Sequence, residues 1–383
     1  MTQEPFGDIP LFREIQKLLS SGDGPINFEI ARQIAVAVAA QGTADRPVEA
    51  SDTRAFADAV HEAETLISGY TRLPLDEPLR PEAIGRTQWI SSTMDGWRWL
   101  LEHLAVRFTA ELARLGAEEA EGGVNPMQAA MGQMGPLLMG MQVGTLIGHL
   151  SKEALGRYDF PIPREDDGRL FFVVPNLDAL AQDYGFDRAA SRRWIAAHDV
   201  ARHLVIISVP WAGRYFRSLL TDVVDAIEID VEGLEQRLVE LQSRGPEAMQ
   251  EGMGQDGVVP IASTEKHRAA LDRMRAFLAV LEGYGAETMS VVGPQIVPEH
   301  EARIAEGMAR QQASPSEGEA MLSSILGVSL DRQLEISGAT FCKAILELRG
   351  LSALIRVWAA PDNLPSIAEV KDPFVWIERV LDP

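Results

Sequence analysis

The sequence predicts a mainly α-helical protein with a minor β element near residues 169–174. Long stretches of the 383-residue chain place apolar residues at helical spacing, as in TRAFADAVHEAETLISG at 53–69. One short run, RLFFVVP at 169–175, is instead dominated by the aromatic and β-branched residues that favour strands. With 46% hydrophobic and 24% charged residues, the chain has the composition of a globular protein that buries a sizeable core.

Glycine and proline mark the ends of the other predicted helices. Two helical patterns near the N-terminus are separated by SSGDGP, and Pro25 marks where the second begins. The remaining helical segments lie at about 53–69, 87–115, 176–184, 188–208, 211–226, 230–243 and 263–291, with three more that include 332–351. A loop rich in Gly and Met is predicted at 245–260. The C-terminal tail is interrupted by prolines and ends in a short helix.

The acidic stretch GAEEAEGG at 116–123 predicts a boundary within the chain. Residues 1–118 would then form an N-terminal helical region, and residues 124–383 a second helical domain that contains the candidate site. The alternative is that the two form one continuous domain, since a chain of this length is compatible with one large or two medium domains.

The segment from Gly122 to Ser151 has no charged residue and is long enough to cross a membrane. However, it contains several glutamines and Pro136, and neither end has the basic cluster that sets membrane topology. Glycines at 140, 144 and 148 recur every four residues and would let another helix approach closely. The pattern favours buried core helices, so no membrane span is expected.

Charge and cysteine usage exclude several classes of protein. The formal net charge of −21 disfavours binding to nucleic acids or anionic membranes, which attract clustered Lys and Arg. The single cysteine, Cys342, cannot form an internal disulfide and is typical of a reducing compartment. The N-terminus has acidic residues where a secretion signal has basic ones. We therefore expect an acidic, cytoplasmic protein.

The segment WIAAHDVARHL at 194–204 resembles a zinc-binding helix but departs from it at one position. In the motif H-E-x-x-H, two histidines four residues apart bind zinc, and the Glu polarises the metal-bound water. Here His198 stands at the first position, Asp199 at the acid position, and Arg202 where the second histidine belongs. His203 follows one residue late, about 140° around the helix axis from His198, so both reach one ion only through a π-bulge.

Several landmarks together resemble the zincin-like metallopeptidases of actinobacteria and their relatives, a poorly characterised group labelled as hydrolases. The landmarks are GPINFEIARQIA at 24–35, MGPLLMGMQVGTLIG at 134–148, Val209-Pro210-Trp211, Glu282-Gly283-Tyr284, and the stretch from ELRGL to DNLP at 347–365. The resemblance covers nearly the whole chain. It implies a zincin-like helical fold with a site in which two histidines and a later glutamate bind zinc.

When the family's site residues are matched to this sequence position by position, the resemblance implies that His198 is the first metal ligand, Asp199 the catalytic acid and Glu282 the third ligand. Arg202 breaks the pattern, because a guanidinium does not ligate zinc and its positive charge repels the ion. Asp199 is also one methylene shorter than Glu, which reduces its reach to a metal-bound water. Zinc is therefore possible in this degenerate motif but is expected to be absent.

Three interpretations of the site remain open. In the first, the protein is an active zinc-dependent hydrolase or peptidase that recruits His203 or Glu287 as a substitute ligand. In the second, the scaffold persists without metal, Arg202 pairs with Asp199 or Glu282, and the protein binds an unknown peptide or protein partner. In the third, the motif is part of an ordinary surface helix. The second interpretation is preferred, since catalytic zinc needs three protein ligands.

Three further residues are candidates for the same site. Trp194, Tyr284 and Glu287 are candidates for the walls of a cleft beside the motif. His61 and Glu62 in HEAET also resemble the start of a metal motif, but Thr65 replaces the second histidine. That segment predicts an exposed helix face rather than a metal site.

Overall fold

The computed structural model describes residues 24–41, 45–119, 126–165, 168–230, 233, 261–311, 313, 316–326 and 332–382. Within these ranges the fold is mainly α with one two-stranded parallel sheet, which confirms the predicted class. The elements of the first part are α1 (Phe28–Ala39), α2 (Ala50–Thr71), β1 (Pro81–Ile84), α3 (Arg86–Gly96), α4 (Arg98–Glu119), α5 (Pro126–Ser151) and β2 (Leu170–Val173). The second part has α6 (Val174–Tyr184), α7 (Arg188–Ser208), α8 (Ala212–Asp225), α9 (Glu265–Ile296), α10 (Glu301–Gln311), α11 (Glu317–Leu326), α12 (Arg332–Arg349), α13 (Leu351–Ile355), α14 (Ile367–Lys371) and α15 (Pro373–Val380). Short 3₁₀ turns at Arg356–Trp358 and Pro361–Asn363 precede α14.

The structure refines two of the expected elements. The helical run predicted at 87–115 is two helices, because the chain turns at Gly96 and Trp97, where glycine weakens the helix. The strand predicted at 169–175 is present as β2, but its partner β1 was not predicted, since PEAI lacks a strand-like composition. The helix expected at 230–243, the loop at 245–260 and the first N-terminal helical pattern lie almost wholly outside the described residues.

The chain divides into two compact units, each assembled from separated stretches of sequence. One comprises Met1–Ala44, Ile90–Lys152 and Ile227–Ala262, and the other comprises Asp45–Trp89, Glu153–Ala226 and Ser263–Pro383. The candidate site lies in the second unit. The sequential boundary expected at 116–123 stays a prediction.

In the first unit, α1 packs against the glycine stripe of α5. A Cβ added to Gly144 would lie 2.5 Å from the carbonyl oxygen of Ala31, so only glycine permits this approach. The amide of Asn27 donates to the carbonyl of Pro136 at 2.9 Å, and its side chain caps α1. Among the described helices, none combines the length and apolarity needed to span a membrane.

In the second unit, the small sheet fixes the segment that precedes it. β1 and β2 pair in parallel, with Pro81 opposite Leu170 and Ile84 opposite Val173. The amide of Val173 donates to the carbonyl of Leu155 at 2.8 Å, which holds the segment 154–159 beside β2. This segment lies against α7, so the sheet helps to position the candidate site.

Helices α9 and α12 cross at two glycines whose backbones touch. A Cβ on Gly283 would lie 2.7 Å from the amide nitrogen of Ala339 and nearer still to the carbonyl group of Gly338. A Cβ on Gly338 would collide with the carbonyl oxygen of Ala279. The crossing sets the position of Glu282, the neighbour of Gly283, relative to α7.

Candidate functional site

Helix α7 presents the motif residues to the interior of the unit. It begins where the side chain of Asp187 accepts a hydrogen bond from the amide of Ala190 at 2.8 Å. It ends at Val209, whose extended backbone (φ −91°, ψ 108°) is the one favoured before Pro210. Most of its residues from Ala190 to Val205 are buried. The helix is therefore a core element and not a surface helix.

His198 lies at the less buried side of α7, with 17% of its side chain exposed. Its imidazole stacks on the ring of Trp194, with ring centroids 5.2 Å apart and an interplanar angle of 22°. Burial, and then the positive charge of Arg202, lower the pKa of His198 to about 3. Its Nδ1 atom is 4.0 Å from Oδ1 of Asp199, too far for a hydrogen bond. The imidazole is therefore neutral at physiological pH.

The side chain of Arg202 is held by Glu282 of α9. Its Nε atom donates to Oε2 of Glu282 at 2.7 Å, and its Nη2 atom donates to the same oxygen. A third hydrogen bond, at 2.9 Å, runs from Nη1 to the carbonyl of His198. Only 5% of the Arg202 side chain and 14% of the Glu282 side chain are exposed. Burial opposes the charge of Arg202, but the pair with Glu282 raises its pKa above the ordinary value.

Two glycines and a second carboxylate accommodate this guanidinium. A Cβ on Gly285 would lie 3.1 Å from Nη1 and 3.2 Å from Cζ of Arg202. The absence of a side chain at Gly285 therefore gives the guanidinium the room it occupies. Gly283 allows α12 to come close, and α12 carries Glu335, whose charge also favours the ionised form of Arg202. The surroundings are therefore suited to a buried cation.

Asp199 faces the segment 154–159 and not the arginine pair. Its Oδ2 atom accepts a hydrogen bond from the amide of Arg157 at 2.6 Å. Gly156 lies so close to this carboxylate that an added Cβ would clash with it. The carboxylate of Asp159 accepts hydrogen bonds from the backbone amides of Leu155 and Gly156 at 2.6 and 2.7 Å, which folds the segment back on itself. Asp199 thus connects α7 to the segment that precedes β2.

Asp159 and Asp199 form a buried carboxylate pair. Burial, and then the negative charge of Asp199, raise the pKa of Asp159. Burial likewise raises the pKa of Asp199, although the hydrogen bond from the Arg157 amide opposes this. Two carboxylates at such a site cannot both ionise easily, so the pair holds a proton more readily than ordinary aspartates.

The two proposed substitute ligands have other partners. Nδ1 of His203 is 2.7 Å from the hydroxyl of Tyr158, and α7 has no π-bulge that would turn His203 toward His198. Glu287 lies near Tyr70 and Cys342: burial first, and then its charge, raise the pKa of both groups. Neither residue joins His198 and Glu282 in this arrangement.

Of the cleft candidates, Trp194 lies beside His198 but is 5% exposed. Tyr284 is 1% exposed and meets Trp358 edge to face, with ring centroids 5.8 Å apart. Trp358 in turn packs against Trp211 and Phe277. The V-P-W turn, the E-G-Y motif and the C-terminal V-W-A-A-P stretch therefore meet in one aromatic core.

The arrangement does not fit a zinc ion. Within the described part of the chain, no three His, Cys, Asp or Glu side chains are grouped closely enough to hold a metal. Of the two carried-over ligands, Glu282 accepts hydrogen bonds from Arg202, and the same guanidinium donates to the backbone carbonyl of His198. A zinc ion there would meet a fixed positive charge instead of a third donor.

Sequence reasoning missed several residues of this cluster, namely Gly156, Tyr158, Asp159, Gly285 and Glu335. Three of them belong to LGRYDF, a stretch without a recognisable motif. Their role depends on contacts across 42 to 45 residues of sequence. Only Gly285 gave a signal, since the spacing of Gly283 and Gly285 in a buried helix indicates close neighbours.

One family model matches most of the chain. Residues 26–377 match the family described as zincin-like metallopeptidase. The structure is similar to a crystal structure from Chloroflexus aurantiacus described as a "putative hydrolase with a novel fold". The two share 25% sequence identity and a TM-score of 0.63, over 93% of this chain and 99% of the other. No curated protein matches the chain.

Proposed function

Because the chain belongs to the zincin-like metallopeptidase family, we propose that it is a member in which Arg202 replaces the catalytic zinc. The protein then acts as a non-catalytic scaffold that binds a peptide or protein partner. Its single cysteine, which cannot form an internal disulfide, supports a cytoplasmic location.

The pairing of Arg202 with Glu282 carries this proposal. The two residues stand at the positions of the second and third ligands in the family pattern. A buried carboxylate that has lost a divalent cation needs another positive partner, because an uncompensated buried charge is costly. Arg202 supplies that charge from within the chain, and Gly285 leaves room for it.

The alternative is an active zinc hydrolase that uses His198, Glu282 and a substitute ligand. It would need Arg202 to leave Glu282, and His203 to leave Tyr158 or Glu287 to turn toward His198. The first step alone would expose a buried pair of charges and place a cation beside the ion. The metal-free scaffold requires no such rearrangement, and it is the function we favour.

The proposal is tested by rebuilding the family motif. The double variant Asp199→Glu/Arg202→His restores H-E-x-x-H at 198–202 while Glu282 is kept. We expect it to bind about one zinc per chain in equilibrium dialysis followed by elemental analysis, whereas the wild-type chain binds far less. Hydrolysis of a labelled casein substrate, measured on the same samples, separates metal binding from catalysis.

Arg193→His is the matched control, because it adds a histidine to the same helix at an arginine that pairs with Glu62 outside the site. It should leave zinc binding at the wild-type level. If the double variant takes up no more zinc than this control, the surroundings of α7 are not those of a zincin and the proposal fails. Zinc-dependent cleavage of casein by the wild-type chain would favour the hydrolase instead.

A further inference from the structure

A groove of about 590 Å³ lies along the C-terminal half of α2. One wall is the face of α2 from His61 to Gly69 together with Arg72, and the other is the segment from Leu73 to Pro78. Gly69 widens the groove, because no atom lies within 4 Å of the place where its Cβ would be. None of the residues of the Arg202 cluster lines it, so the groove is a separate feature of the same unit.

Arg72 holds an unusual backbone conformation at the end of this groove. It follows the last residue of α2 with φ 57° and ψ 19°, and it is the one non-glycine of the described chain with positive φ. Glycine is the usual residue at this position of a helix end, since a Cβ is disfavoured in the left-handed region. Backbone strain of this kind is retained where the side chain itself is needed, which points to the guanidinium of Arg72 as the reason.

The guanidinium of Arg72 is the uncompensated charge of the groove. It makes no hydrogen bond or ion pair with any residue that the structure describes, whereas the backbone amide of Arg72 donates to the carbonyl of Ser68 at 2.9 Å. Glu64, by contrast, is occupied: its Oε1 accepts the amide of Leu79 at 3.3 Å, and its Oε2 lies 3.7 Å from Nδ1 of His61.

The hydroxyl groups of the groove are also directed inward to the helix. Thr65 donates to the carbonyl of His61 at 3.0 Å, and Ser68 donates to the carbonyl of Thr65 at 3.4 Å. Their oxygens can still accept hydrogen bonds, but their hydroxyl protons are already donated to backbone carbonyls of α2. The guanidinium of Arg72 is therefore the cationic hydrogen-bond donor that the groove offers to a ligand, and the two hydroxyl groups do not bind it.

We propose that this groove binds the C-terminal carboxylate of a peptide. Arg72 is the residue type that grips a carboxylate through two parallel hydrogen bonds. Leu73, Leu75 and Pro78 offer an apolar wall for the side chain next to that carboxylate. The hydroxyl of Ser208, at the end of α7, donates to the carbonyl of Pro74 and so holds this wall in place.

The choice of a peptide rests on the proposed scaffold function, whereas carboxylate binding at Arg72 does not depend on whether zinc is present. Binding is tested by saturation-transfer NMR with two pools of N-acetylated tripeptides that have Leu, Ile, Val or Phe at the last position. One pool has free carboxyl ends and the other has amides. We expect the free-acid pool to give saturation transfer at least about fivefold stronger than the amide pool.

Arg72→Gly removes the cation and also relieves the left-handed strain. We expect this variant to lose the preference for the free-acid pool while its melting temperature stays equal or rises, which excludes unfolding as the cause. Arg72→Lys should keep part of the preference. Arg80→Ala is the control, because it removes an arginine that forms an exposed pair with Glu77. This variant should bind the peptides as the wild type does.

Three results would overturn the inference. They are equal signals from the acid and amide pools, an unchanged preference in Arg72→Gly, and no signal from either pool at millimolar peptide. Signal from free acetate or isovalerate equal to that from the peptides would keep carboxylate binding at Arg72 but remove the peptide as its occupant. The zinc measurements on the α7 variants are independent of all four outcomes.

Discussion

The guanidinium of Arg202 donates two hydrogen bonds to one oxygen of Glu282, although the residues are 80 positions apart in the chain. This pair joins α7 to α9 inside the second unit. The family resemblance implies a metal ion held from the same two positions, and such an ion would also bridge the two helices. In the function proposed above, the internal ion pair takes over the structural part of the metal's role without its chemistry.

Breaking this pair from one side should be costly. Glu282→Gln leaves the buried Arg202 without a negative partner, and we expect the free energy of unfolding to fall by about 3 kcal/mol. Urea unfolding of the purified variant measures the change. Replacing both residues, as in Arg202→Met/Glu282→Leu, should recover most of the loss, because no unpaired charge then remains.

Glu62→Gln is the matched control. Glu62 of α2 pairs with Arg193, which lies on α7 as Arg202 does, but both side chains of this pair are more than a third exposed. Its effect should stay below about 1 kcal/mol. If Glu282→Gln costs no more than Glu62→Gln, the Arg202 pair does not connect the helices as described.

The carboxylate pair should make stability depend on pH. Burial, and then Asp199, raise the pKa of Asp159 from 3.8 to about 7. Because this folded pKa is above that of the unfolded chain, the bound proton stabilises the fold fully below about pH 3.8. The contribution is lost as the pH rises through about 7. Asp159→Asn keeps an oxygen that accepts the Leu155 and Gly156 amides but does not ionise.

We therefore expect Asp159→Asn to lose less stability than the wild type between pH 5 and pH 8. Urea unfolding at the two pH values provides the comparison. Asp183→Asn, at an exposed position of α6, should keep the wild-type dependence. Parallel pH profiles for the wild type and Asp159→Asn would contradict the assignment of this titration to the buried pair.

The crossing of α9 and α12 should be intolerant of any side chain at its centre. Gly338→Ala places a methyl group against the backbone of Ala279, so the two helices would have to move apart to make room for it. We expect a loss of about 1–3 kcal/mol, as is typical of overpacked cores. Thermal unfolding followed by circular dichroism gives the measurement.

Gly69→Ala makes the same chemical change at a helical position with open space around it. It should stabilise the protein by up to about 1 kcal/mol, because alanine favours the helix. Equal behaviour of the two variants would show that the helices do not touch at Gly338.

Local signals in the sequence predicted most of the secondary structure. Helical spacing without Gly or Pro predicted α7, and Val209-Pro210 predicted its end. The glycines at 140, 144 and 148 predicted a close helix contact. The strand β1 was missed, because its pairing with β2 depends on a partner 89 residues away and not on its own composition.

The candidate site was predictable only as far as the motif extends. His198, Asp199, Arg202 and Glu282 occupy positions that a local pattern and the family resemblance indicate. The sequence did not reveal which carboxylate each residue meets, since Asp199 faces the 154–159 segment while Arg202 faces α9. These choices depend on how segments far apart in the chain pack together.

The metal content of the wild-type protein tests the central claim most directly. The protein is purified without chelators, dialysed against buffer containing zinc, and analysed for metal by inductively coupled plasma mass spectrometry. We expect well under one zinc per chain. One tightly held zinc per chain in the wild type, lost in both His198→Ala and Glu282→Ala, would contradict it.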